Sequence, residues 1–323
     1  MKIRVMRAWL ENECEATGSS LETHVVVACL FLVLFPVALL LNGVALWVSL
    51  HLQSLSTFIV YLKNLLMADL LMTMTMPLIA ASMLPGATSE LKVFNCRYAG
   101  VVFYTSMYTS ITLMGLISLD RFFKIVQPCG KVLGQNVMFS VIMCSVVWVA
   151  LFGGTAFPHF ILTDQAPNNR SASFCMALKS PAGTALHSYV VALMELLFWL
   201  VCSLVVFCYS CITMKVLQSF RNSGSNNRQG KKKTNRRVFL ILLVFFVCFV
   251  PLHFLRIPYT LYQIFHISVC RQKWVLILHK FSVWVASSNA ILDPFLYIYL
   301  CKDYREKLID LMKGCGIDVQ HES

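Results

Sequence analysis

Residues 24–50 read HVVVACLFLVLFPVALLLNGVALWVSL, an apolar stretch without a single Asp, Glu, Lys or Arg. A helix rises about 1.5 Å per residue, so roughly 20 apolar residues cross a bilayer's hydrocarbon core. The stretch is long enough to do so, and it carries no charged residue to oppose it. Further apolar runs of span length lie at about 58–84, 98–119, 137–162, 186–214, 238–266 and 274–300, which makes seven. The expected fold class is therefore an all-α membrane protein, a seven-transmembrane helix bundle. The whole chain agrees: its 323 residues are 58% hydrophobic and 13% charged, too few ionisable groups to clothe a soluble surface. With short loops and no sizeable soluble domain, function must sit in the bundle and its connections.

Seven spans put the termini on opposite sides, and the distribution of cations decides which is which. With the N-terminus outside, the inner segments hold 16 of the 27 Lys and Arg, among them Lys231 and Arg236. The expected layout is a plasma-membrane protein with an extracellular N-terminus at 1–23, a bundle at 24–300 and a cytoplasmic part at 301–323. The N-terminus lacks the apolar core and cleavage site of a signal peptide, so the first span is read as its own insertion signal. Net charge is +12, yet the cations sit between apolar runs and not along one soluble face, which argues against a nucleic-acid partner. The polar stretch NSGSNNRQGKKK at 222–233 reads as a flexible inner loop. KDYREKLIDLMK at 302–313 puts Tyr304, Leu308 and Leu311 on one face, as in a short helix lying on membrane lipid. Cys315 after it is either a palmitoylation acceptor or a plain thiol.

Most of the 13 cysteines lie inside apolar runs, where the thiol is a small hydrophobe. Cys14, Cys96, Cys175 and Cys270 fall in the outer segments, an even number that supports two disulfides. The sequon at Asn169 lies in the same outer set and marks a glycosylation site.

Charges inside a bilayer are costly and usually functional. Here they are Asp69, Glu195, Arg256, Lys280 and Asp293, with Asp120 and Arg121 at a span boundary. Asp69 and Asp293, with Asn42, Ser118 and Asn289 as hydrogen-bond partners, suit a bound Na+, a shared proton, or a polar cluster that only joins helices. Arg256 and Lys280 sit in the outer parts of the sixth and seventh runs. Two cations facing one cavity without matching carboxylates repel each other unless an anion joins them. Guanidinium suits bidentate phosphate contact, and Lys acts as a point charge. The run HFLRIPYT at 253–260 sets His253, Arg256 and Tyr259 on nearly one helical face, and Lys179 and His187 extend the positive funnel. The alternative has Lys280 snorkelling to water and Arg256 on backbone carbonyls, with Lys179 and His187 solvated.

Taken together these marks resemble the rhodopsin-like G-protein-coupled receptors over nearly the whole chain: Asn42, LLMAD at 65–69, Cys96 with Cys175, Asp120-Arg121-Phe122, Trp148, Tyr209, CFVP at 248–251 and DPFLY at 293–297. Phe122, Phe249 and Asp293 depart from the commonest pattern, and the fifth span lacks its usual proline. FIVYLKN at 58–64, Phe103-Tyr104, Met107-Tyr108, Leu178-Lys179-Ser180, FFVCFVP at 245–251, HFLRIPYT and Lys280 are similar to the purinergic nucleotide receptors, in the branch sensing ADP or UDP-sugars.

The resemblance implies a receptor without enzymatic activity that takes an extracellular anionic nucleotide or nucleotide-sugar and signals through heterotrimeric G proteins of the inhibitory class. It implies a Cys96–Cys175 disulfide, leaving Cys14 and Cys270 for the second. Arg256, Lys280, His253, Tyr259 and Tyr104 would hold the phosphates and neighbouring groups, with Lys179, His187 and Gln263 in the same set. Asp120, Arg121, Phe122, Tyr209, Phe249, Pro251, Asp293, Pro294 and Tyr297 would carry activation. Phe281, His159 and Val191 stand where the branch commonly has a glutamate and two asparagines, which bears on base or sugar selectivity. Relatives sensing lysophospholipids or lacking a known ligand are the nearest rival reading. An organic-anion transporter is the rival of another class, expected to show inverted repeats that are not found here. Ser287 stands where a retinal-linking lysine would be.

Overall fold

The structure is a computed structural model that describes residues 19–52, 56–126, 136–163, 174–222, 228–265, 269–300 and 302–314. Among the described residues seven helices are long and apolar enough to cross a membrane: Glu22–Leu50, Thr57–Met83, Ser89–Val126, Val137–Leu162, Pro181–Ser219, Phe239–Leu261 and Trp274–Ile298. In hydrocarbon every backbone N–H and C=O must be paired within its own segment, which is why apolar runs of this length become helices. The bundle keeps its intramembrane charges inside and turns apolar side chains outward. Val33 is 69% exposed, whereas Asp69 is fully buried, the arrangement expected where lipid replaces water as solvent. The third span is the most enclosed, 61% buried along its most apolar stretch, and the fourth the least, at 22%.

Two helices run further than the hydropathy suggests. The third extends from Ser89 to Val126, taking in Cys96 through a π-helical turn at Asn95–Ala99 and Asp120-Arg121 at the other end. The sixth belongs to a helix starting at Arg228, so residues 228–233, expected to be loop, are helical. Arg, Gln and Lys are good helix formers, and extending an existing helix needs no new nucleation.

The seventh span is broken. Helix Val269–Ser287 stops at Ser288 and resumes as Asn289–Leu300, with Pro294 inside the second part. Proline offers no N–H, so the carbonyl of Ala290, four residues earlier, has no helical donor. The amide of Asn42 supplies one, Nδ2 donating to Ala290 O at 2.6 Å and to Ala38 O at 2.9 Å. The first and seventh spans are thereby tied at the proline break. A second inter-helix tie joins the fourth to the second, Trp148 Nε1 donating to Asn64 Oδ1 at 2.9 Å.

After the bundle, helix Lys302–Gly314 buries Tyr304 and packs Leu308 and Leu311 against the cluster around Leu62 and Tyr297, with Asp303 in its first turn and Lys313 in its last to suit the helix dipole. Replacing Asn42 by Leu strands the Ala290 carbonyl in a buried setting. A loss of about 1–3 kcal/mol is expected, visible as a lower melting temperature of the purified protein. An unchanged melting temperature would remove Asn42 from the proline tie.

Candidate ligand-binding cavity

The Cys96–Cys175 disulfide, with Cα atoms 5.3 Å apart, fixes the segment carrying Met176 and Lys179 over the end of the bundle where the third span begins. Gly100 lies one turn on, and a Cβ there would press on Asn95 O at 3.2 Å. Beneath the disulfide lies a cavity of about 310 Å³, within the range of small-molecule sites. Arg256, Lys280 and Lys179 line it together.

Arg256 reaches it from the sixth span. Its guanidinium lies over the rings of Tyr104 and Tyr108, 4.7 Å and 5.3 Å from their centroids, so two π faces offset the cost of burying the charge. Its Nη1 has no hydrogen-bond partner among the described residues, although Arg256 is only 8% exposed. Lys280, on the seventh span, is hydrogen-bonded to Nε2 of His24 at the start of the first. Lys179 lies in the connecting segment. Burial first, and the Arg256 guanidinium second, push its ammonium down to about 8.

The surrounding aromatic groups are stacked or hydrogen-bonded. Tyr259 lies on the ring of His279, centroids 4.0 Å apart. His187 meets His159 edge to face at 5.9 Å, and His159 Nδ1 donates to Thr155 O at 2.8 Å. Val191 and His159 line the cavity, whereas Phe281 packs into the main apolar core.

The structure alters three expectations. His253 does not share the cavity face with Arg256 and Tyr259: it is fully buried, one turn deeper, because three residues of helix descend about 4.5 Å. Its Nδ1 donates to Phe249 O at 2.9 Å, which leaves Nε2 to accept from Tyr108 Oη at 3.1 Å, so it props the tyrosine under Arg256. The cations are also not without an acid. Glu195, one helical turn below cavity-lining Val191, stands within electrostatic reach of Arg256. Among the described residues three cations still face one carboxylate, an excess of positive charge. The third correction concerns Ser118. Its hydroxyl donates to Met114 O at 2.8 Å and lies beside Tyr209, so it is not part of the Asp69 cluster. Ser110, two turns away on the same helix, takes that place, donating to Asp69 Oδ1 at 2.8 Å.

In that cluster Asn289 Nδ2 donates to Asp293 Oδ2 at 3.0 Å, and Tyr297 closes the group beside both carboxylates. At the far end Asp120 pairs with Lys124 at 2.8 Å and accepts from Thr57 Oγ1 at 2.6 Å. Arg121, released from its neighbour, lies 4.3 Å over the ring of Phe58. Phe122 touches Phe207, ring centroids 5.8 Å apart, and Phe249 packs on Phe245 at 5.4 Å. Pro251 lies inside the sixth-span helix. Cys14, Asn169 and Cys315, and the side chains of Cys270 and Gln263, lie outside the described residues. His24 and His279 escape sequence reasoning. Their only signal is a histidine at the edge of an apolar run and one beside Lys280.

Tyr108→Phe removes the donor to His253 Nε2, and the expected cost is about 1 kcal/mol of stability, read by thermal melting. Full retention would mean that the tyrosine does not depend on His253 for its position.

The family model for the 7 transmembrane receptor (rhodopsin family) matches residues 41–297. The chain is 39% identical over 286 residues to purinoceptor 13 of Homo sapiens, covering 88% of this chain and 80% of that one. It is 38% identical over 315 residues to purinoceptor 14 of Bos taurus, covering 97% and 92%. G-protein coupled receptor 87 of Mus musculus is 33% identical over 300 residues, covering 93% and 82%.

Proposed function

The chain belongs to the rhodopsin family of seven-transmembrane receptors, in its purinoceptor group, and from that premise we propose that it is a receptor for an extracellular nucleotide or nucleotide-sugar. The family consists of receptors that act through G proteins, not enzymes. One observation carries the ligand reading: Arg256, Lys280 and Lys179 converge on one cavity with, among the described residues, a single carboxylate nearby. In a low-dielectric site such an excess attracts an anion, and a guanidinium beside an ammonium suits a phosphate chain. A ligand would also meet Tyr104 and Tyr259, which line the same cavity.

The orientation follows the same logic. A disulfide beside the cavity fits an oxidising exterior, and the excess of Lys and Arg in the opposite connections fits the cytoplasm, which together support an extracellular N-terminus. Activation is a population shift: the anion binds one arrangement of the sixth and seventh spans more tightly, and Arg121, Tyr209 and Tyr297 rearrange at the far end to admit a G protein of the inhibitory class. The Asp69 cluster is the site for Na+. A monovalent cation held by Asp69, Asp293 and Ser110 would offset the charge of the two carboxylates, beside which Asn289 Oδ1 is buried with no hydrogen-bond partner among the described residues.

Cells expressing the chain should lose cyclic AMP on exposure to at least one of ADP, ATP, UDP or a UDP-sugar. Arg256→Ala or Lys280→Ala should each weaken that potency by about 1–3 kcal/mol, a lost charge-assisted hydrogen bond. Unaltered potency in both variants would remove the phosphate role. Because Lys179 loses its proton near pH 8, and only the charged form attracts an anion, affinity should fall roughly three- to tenfold between about pH 7 and pH 9. Lys179→Arg stays charged and should make that profile shallower. An equally steep profile in Lys179→Arg would assign the titration elsewhere.

A further inference from the structure

Glu195 is the one intramembrane charge among the described residues that neither the fold nor the proposed phosphate contacts use. The fifth and sixth spans run antiparallel, and their register is fixed by two ring pairs: Phe198 stacks on His253 with centroids 3.5 Å apart, and Trp199 meets Phe254 at 5.3 Å. One turn from Phe198 and Trp199 toward the disulfide-bearing end is Glu195, and one turn from His253 in the same direction is Arg256. The two side chains therefore stand at one level of the bundle, within electrostatic reach of each other. Glu195 is 6% exposed, with the indole of Trp199 beside its carboxyl group. Nη1 of Arg256 has no hydrogen-bond partner among the described residues. A buried carboxylate within reach of a buried guanidinium interacts with it through the field between them.

We propose that Glu195 is an internal competitor for Arg256, a carboxylate that lowers the cavity's pull on anions and does so more for highly charged ones. This rests on the reading that the cavity takes an anion. An incoming phosphate meets the guanidinium from the cavity side while Glu195 faces it from the helix interface, so ligand and carboxylate repel each other across the same cation. The repulsion grows with the charge the ligand carries, which makes Glu195 a specificity-determining residue: it holds back diphosphates more than monophosphates.

The test uses the purified full-length chain with inorganic pyrophosphate and orthophosphate as probes, titrated by calorimetry. Glu195→Gln, which keeps size and removes charge, should tighten pyrophosphate roughly tenfold, a change of one unit charge at partial screening, and orthophosphate less. In an Arg256→Gln background the same substitution should bring no gain. Without any anion, melting temperatures of the two single variants and the double variant should be non-additive, because each removes the other's partner. Unchanged or weaker pyrophosphate binding in Glu195→Gln overturns the proposal, as does an equal gain for both probes. If Arg256→Gln does not fold, Glu195→Asp replaces it: the charge-keeping variant should stay near the unaltered affinity, and a gain matching that of Glu195→Gln would count against competition. A chain that binds no pyrophosphate would undo the anion reading itself. The anion-free melting series then decides Glu195 separately, additive losses refuting its pairing with Arg256 and non-additive ones upholding it.

Discussion

Everything specific about this receptor depends on holding positive charge out of water. Arg256 is almost completely buried, and a buried guanidinium is tolerated only where its surroundings replace hydration. Two tyrosine faces, the field of Glu195 and the cavity do so together, and none of them amounts to a bidentate ion pair. The site is thus organised around a cation whose hydrogen-bonding capacity is only partly used. His253 enters this arrangement from below, fixing Tyr108, and His24 enters from the side through Lys280.

The remainder of the bundle connects that cation to the opposite end. The sixth span carries Arg256, His253 and Phe249 at successive levels, so a shift at the top moves the apolar core beneath. The seventh span carries Lys280 above its break at Ser288 and the Asp293 cluster below it. A helix broken at Ser288, with the carbonyl freed by Pro294 held by a borrowed amide from Asn42, is a natural place for two arrangements of similar energy. Beyond it, Asp120 is occupied by Lys124 and Thr57, and Arg121 lies over the ring of Phe58. Such a contact is weak enough for a competing partner to replace.

Much of this was legible in the sequence, and the limits are instructive. Apolar run length determined the seven spans because the bilayer leaves the backbone no alternative to helix. Arg256 and Lys280 stood out because charge in hydrocarbon demands a reason, and Lys179 only as a cation flanking the fifth span. Depth along a helix was less legible. Ser118 and Ser110 lie on the same helix eight residues apart, and only the packing of the second span against the third selects Ser110 for Asp69. His253 shares a face with Arg256 by periodicity but sits below Tyr108, a distinction carried by rise and not by angle. Glu195 was visible as a charge, yet its partner emerged only from the ring pairs that set the register of the fifth and sixth spans. Residues 228–233 were polar enough to read as loop, but helix continuation from an apolar neighbour outweighed composition.

The most direct test of the account is an experimental density map of the chain bound to whichever nucleotide activates it. The account requires the phosphate oxygens to lie within about 3 Å of the Arg256 guanidinium and the Lys280 ammonium, beneath the Cys96–Cys175 disulfide. Phosphates placed away from both cations, or an Arg256 turned out of the cavity, would contradict it.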